Sequence, residues 1–300
     1  MSKRSNTLLG GVCSFAILCS IYGYARAAGE HEQSVCGWEG LAVLALKLML
    51  PDDRDVLRGK SSVRRRVHTI MGKKEKCFQM TEESILTSDS RTLRGYRISQ
   101  CDSLKSRNRA AILIAHGNAM LAFQTLPFGH ELANLGVDII VYDYRGYGRS
   151  EGWSRLKAIA LDYKAISASL RKRYEILLGY GASMGGLLLL RVQNELNTFD
   201  HLVLDAPPER ITRLECPKVY DPINNVPDNA SNITLIHGGK DKIVEVGRLP
   251  ILLRDNGAKV VYDKTLAHPF MDSDANRQRR TAIIYDALRG ALIDKGFGKQ

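Results

Sequence analysis

The sequence predicts an α/β chain: a mostly parallel central sheet with helices on both faces and no large cap domain. Two patterns carry this. Short, nearly continuous apolar runs such as Ala110–Ala115 alternate with longer stretches of helical period. Strands buried on both faces and their covering helices read this way. One glycine-rich turn, Gly179-Tyr180-Gly181-Ala182-Ser183-Met184-Gly185-Gly186, joins such a run to a Leu-rich helical stretch. The 300 residues, 44% hydrophobic and 25% charged, suit one large domain with its own core.

The elements follow in chain order. Lys3 and Arg4 precede an apolar run, Leu8–Tyr24, and then Ala25-Arg26-Ala27. A positive start, an apolar middle and small residues at the end read as a signal peptide or membrane anchor over 1–27. Its removal takes away Lys3, Arg4 and Arg26 and lowers the formal charge from +11 to +8. It also leaves Cys36, Cys77, Cys101 and Cys216. Four cysteines in an exported chain allow three disulfide connectivities, or buried thiols, and the sequence does not choose. Residues 28–76 form a basic lead-in. It holds one short apolar helix, Leu41–Leu50, stopped by Pro51, and a basic tract from Arg54 to Lys76. The tract reads as a solvated face or as a contact with an anionic membrane surface. No basic module interleaved with aromatics occurs, so the charge does not indicate nucleic acid.

The catalytic domain spans 77–300. Strand-like runs are expected at Phe78–Met80, Ile85–Thr87 and Gly95–Ser99, close enough together for an antiparallel start. Core strands follow at Ala110–Ala115, Asp138–Tyr142, Ile176–Gly181, His201–Leu204, Ile233–His237 and Val260–Asp263. Helices are expected over Phe123–Leu135, Leu156–Tyr174, Gly185–Leu196, Val246–Asn256 and Asn276–Leu292. The stretch Asp205–Asn232 is short and carries five prolines, which suggests a loop with one short helix rather than a cap. It ends in two N-x-[ST] sequons, at Asn229 and Asn232, which matter only in a eukaryotic secretory pathway.

The chemistry sits at strand ends. Gly181 to Gly185 matches G-x-S-x-G between a strand and a helix, the context of a nucleophile elbow at Ser183. With such an elbow, the acid and then the base follow in the chain. His268 is the only histidine after the last strand, and Asp241 lies in the loop after the strand before it. Asp205 is the alternative acid. His237 suits a structural place. Oxyanion donors are expected from the main chain of Met184, just after the nucleophile, and of Asn118 in His116-Gly117-Asn118-Ala119. Gly117 allows close approach and His116 braces the loop. No C-x-x-C or other metal-ligand spacing appears, and the chemistry needs no metal or organic cofactor.

Four motifs in this order resemble the α/β-hydrolase superfamily, from about Cys77 to the C-terminus. They are HGNA at His116–Ala119, the D-x-R-G-x-G-x-S turn at Asp143–Ser150, GASMGG at Gly181–Gly186 and HGGKD ending at Asp241. The set is most similar to ABHD-like and BEM46-like serine hydrolases, grouped with serine-aminopeptidase-like domains. The resemblance implies cleavage of an ester, thioester or amide through an acyl-enzyme, on an exported or membrane-associated protein. A peptidase acting on peptide N-termini and a non-catalytic scaffold binding a partner or membrane are the rival readings.

Overall fold

The computed structural model describes residues 78–101, 109–212, 216–245 and 247–297. The expected segments 1–27 and 28–76, with Cys36 and Cys77, lie outside the described residues. Eight strands form one sheet: β1 (Phe78–Leu86), β2 (Thr92–Gln100), β3 (Ala110–Ala115), β4 (Asp138–Tyr142), β5 (Ile176–Ala182), β6 (His201–Asp205), β7 (Ile233–Gly238) and β8 (Lys259–Asp263). Their order is β1-β2-β4-β3-β5-β6-β7-β8. Only β2 runs against its neighbours; β4 to β8 pair in parallel. Among the described residues four α-helices lie between strands, α1 (Leu126–Ala133), α2 (Leu156–Arg173), α3 (Met184–Leu196) and α4 (Leu249–Asp255), and a fifth, α5 (Asp274–Asp294), follows β8.

The core strands fall within one residue of expectation, because every residue of β3, β4, β5 and β7 is buried and the apolar runs mark them plainly. The two runs expected near the start are instead one nine-residue strand, β1. Its exposure largely alternates, as an edge strand with one wet face requires, and the polar Thr81-Glu82-Glu83 between the runs hid its continuity. Two helices begin later than expected. A 3₁₀ turn, Ala122–Thr125, precedes α1, and both α1 and α4 carry proline at their first positions. Proline lacks the N–H that the first turn leaves unused, so the α-helix starts there. Among the described residues, the stretch between β6 and β7 holds 3₁₀ turns at Lys218–Tyr220 and Pro222–Asn224, where one short helix was expected.

Cys101 and Cys216 are each disulfide-bonded, so neither is a buried free thiol. Among the described residues no helix is long and apolar enough to cross a membrane.

The topology positions the site. β3 has β4 on one side and β5 on the other, so the chain leaves it in opposite directions. Such a reversal opens a crevice at the carboxyl ends of the strands, where ligands of parallel sheets bind. His116-Gly117-Asn118 follows β3 and Ser183 follows β5, at that crevice.

Candidate active site

Ser183 occupies a left-handed backbone conformation, φ +52°, that a non-glycine residue adopts at a cost of about 1–3 kcal/mol. The elbow is over-determined by its surroundings. The Ser183 N–H donates to the Asp205 carbonyl at 2.8 Å, and the Ser183 carbonyl accepts from Gly186 at 2.9 Å as α3 begins. A Cβ on Gly181 would lie 2.6 Å from the Gly185 carbonyl oxygen, and one on Gly185 1.9 Å from that of Ala115. Only glycine lets strand, turn and helix approach this closely. The turn leaves Ser183 half-buried at the N-terminus of α3, with Met184 as its first residue.

The His116-Gly117-Asn118 loop meets this turn. A Cβ on Gly117 would be 3.9 Å from Ser183 Cβ and 3.5 Å from the Met120 sulfur. The D-x-R-G turn holds the loop from behind. Tyr144 donates its hydroxyl to the His116 carbonyl, and Tyr147 donates to Asn118 Oδ1 at 2.6 Å. Arg145, in the same turn, is buried between Asp89 and Asp162, its Nη2 2.8 Å and 2.6 Å from their Oδ1 atoms. The turn is therefore a structural staple. Its tyrosines, unremarked in the sequence, carry the link to the site.

His116 is fully buried beneath the loop, and loss of water pushes its pKa down to about 4. His201, whose Nε2 lies 3.0 Å from Thr234 Oγ1, is pushed down to about 4 by burial as well. In the unfolded chain both bind protons below the ordinary value of 6.5. The folded chain binds fewer, so stability present above pH 6.5 is lost as the pH falls from there toward 4. For His116 this is on the order of 2–3 kcal/mol. Melting temperatures are expected to drop steadily between pH 7 and 4.5; a constant value across that window contradicts the assignment.

Asp241 and His268 come together from the loops after β7 and β8. His268 Nδ1 lies 2.8 Å from Asp241 Oδ2, and the carboxyl group is fully buried. Asp241 Oδ1 accepts the main-chain N–H groups of Ile243 and Val244 at 2.8 and 2.9 Å. A carboxylate only accepts, so His268 donates through Nδ1, and in the neutral imidazole Nε2 is then the acceptor. Asp205, the alternative acid, is engaged elsewhere: Tyr180 donates to its Oδ2 at 2.9 Å and Arg280 to its Oδ1. His237 is buried at the end of β7.

One feature gave no sequence signal. Phe270, two residues after His268, has φ +70° and an exposed ring. Its ring reaches within 3.9 Å of the Cβ position on Gly117, the same point Ser183 Cβ approaches at 3.9 Å. The histidine loop thus crosses the glycine loop beside the serine. Among the described residues no group of three or more His, Cys, Asp or Glu side chains is placed to hold a metal ion.

Residues 106–225 match the family model described as Hydrolase_4, serine aminopeptidase, S33. The chain is 30% identical over 172 residues to alpha/beta hydrolase domain-containing protein 17B of Xenopus tropicalis, covering 52% of this chain and 59% of that protein. The human protein of the same name is 29% identical over the same shares. The chain thus spans about three-fifths of the length of these curated relatives. Among solved structures, esterase 2 of Thermogutta terrifontis, phosphorylated by paraoxon, superposes with a TM-score of 0.57 at 18% identity, over 72% of this chain and 95% of that one. An esterase of Pyrococcus furiosus gives 0.56 at 18%, over 71% and 90%. The two esterases share the fold, and in sequence the chain is similar to ABHD-like proteins of the α/β-hydrolase kind.

Proposed function

We propose that the chain is a serine hydrolase that cleaves a carboxylic ester or thioester through an acyl-enzyme. The observation that carries this is the Asp241–His268 pair, its carboxylate pinned by two main-chain amides, at the sheet edge that bears the strained Ser183. In this reading His268 Nε2 takes the Ser183 proton as Oγ attacks the carbonyl carbon. The tetrahedral oxyanion is held by the main-chain N–H groups of Met184 and Asn118, aided by the positive end of α3. His268 returns the proton to the departing alcohol or thiol. Water, deprotonated by His268, then attacks the acyl carbon and releases the acid and Ser183. No cofactor takes part.

Exposed Phe270, Met271 and Ile243, each within three residues of His268 or Asp241, favour an apolar acyl group. The serine-aminopeptidase description of the matching family supports amide cleavage as the second reading. The disulfide-bonded Cys101 and Cys216 support an oxidising compartment, in line with export. An anionic membrane surface is the proposed docking partner of the basic lead-in.

A fluorophosphonate probe is expected to label Ser183 and no other residue, with labelling lost in Ser183→Ala. p-Nitrophenyl esters of increasing chain length, tested beside peptide amides, then separate the two readings. Folded wild-type protein that stays unlabelled refutes both.

A further inference from the structure

We infer that Arg280 of α5 is a positioning residue that locks the His268 loop onto the strands bearing the nucleophile. The inference rests on the serine-hydrolase reading, but its test does not need turnover.

One buried guanidinium makes all the links. Arg280 Nη1 donates to Asp205 Oδ1 at the end of β6, Nε donates to Asp272 Oδ2 at 2.6 Å, and Nη2 donates to the Ala267 carbonyl at 2.5 Å. Asp272 turns back and accepts the Ala267 N–H through Oδ1 at 2.7 Å. Both main-chain groups of the residue before His268 are therefore fixed, one directly and one through Asp272. On the other side, Asp205 accepts from Tyr180 of β5, and its carbonyl accepts the Ser183 N–H at 2.8 Å. An unbroken path of hydrogen bonds runs from the elbow through Asp205 and Arg280 to the imidazole's own peptide unit.

The loop needs such a hold. It contains the positive-φ Phe270, and its local closure is a single turn in which the Met271 N–H donates to the His268 carbonyl at 2.9 Å. A Lys at position 280 makes one point contact where the planar fork makes three. Arg280 also pairs with two carboxylates buried near the imidazole, Asp205 and Asp272. Burial pushes the Asp205 carboxyl up, which marks how much its ionised form depends on a nearby cation. Asp241 and His237 also interact with His268.

The test is proton NMR of the His268 imidazole in the full chain, with kinetics alongside. In wild-type protein the Nδ1 proton bound to Asp241 is expected to give a far-downfield signal. In Arg280→Met that signal is expected to broaden or vanish, and kcat to fall about 100-fold with KM little changed, as for a displaced catalytic group. Arg280→Lys is expected to recover most of the melting temperature but little of kcat. Should Arg280→Met not fold, Asp272→Asn carries the same readouts: it keeps the side-chain shape and weakens the link between Arg280 and the Ala267 N–H. A His268 signal and a kcat unchanged in these variants overturn the inference, whatever the stability. Wild-type protein that is unlabelled by the fluorophosphonate yet shows the Arg280-dependent His268 signal overturns the hydrolase reading alone.

Discussion

Asp241→Asn is expected to lower kcat toward a p-nitrophenyl ester by about 10⁴-fold while leaving the fold and KM almost untouched. The size follows from which atom the amide must present. Ile243 and Val244 each donate a main-chain N–H to Oδ1, so an asparagine places its carbonyl oxygen there. Its NH₂ then faces His268. Two donors cannot share the 2.8 Å contact, so the imidazole adopts the other tautomer and accepts through Nδ1. Nε2 now carries the proton and cannot take one from Ser183. Asp205→Asn leaves the Asp241–His268 bond in place and is expected to cost far less in kcat. Steady-state kinetics on both variants, beside their melting curves, decides the matter. Equal losses, or a fully active Asp241→Asn, refute Asp241 as the acid.

Gly185→Ala is expected to have the largest effect on stability, about 3 kcal/mol or more. The added methyl group would sit 1.9 Å from the Ala115 carbonyl oxygen and 2.8 Å from that of His116. Both are backbone atoms in the centre of the sheet, so no side chain can turn aside. Either α3 or the end of β3 must move. The second choice carries Gly117 away from Ser183, so any protein that folds should react slowly with a fluorophosphonate. Gly290→Ala is the matched control. It lies inside α5 with nothing within 4 Å of its Cβ position, and alanine there is expected to stabilise by about 0.5–1 kcal/mol. Denaturant midpoints of the two variants should shift in opposite directions.

The parts of this molecule that were legible in the sequence are those written in local pattern. The buried strands are continuous apolar runs. The elbow carries its glycines because backbones touch there. Asp241 and His268 follow from chain order and loop position. What stayed hidden is carried by pairs far apart in the chain. Arg280 meets Asp205 across 75 positions, and nothing in Gln278-Arg279-Arg280 distinguishes the buried arginine from its exposed neighbour. Tyr147 reaches Asn118 across 29 positions in the same way. Phe270 has a φ of +70°, a region for which phenylalanine has no intrinsic preference. The start of the sheet was half legible: the polar middle of β1 breaks its apolar run, although the alternation is what an edge strand should show.

The placement of Arg280 also sets an order of assembly. Synthesis delivers the chain from its N-terminus, and Ser183 leaves the ribosome long before the loop after β8 and before α5. The hydrogen bonds that hold the elbow and the glycine loop lie within β3 to β6 and the turn after β4. The loop that carries His268 meets Asp241 as soon as it forms, but it is not tied to Asp205 until α5 has emerged and docked its arginine. In the proposed reading, the link between the elbow and the histidine loop is therefore completed late, when α5 docks against β6.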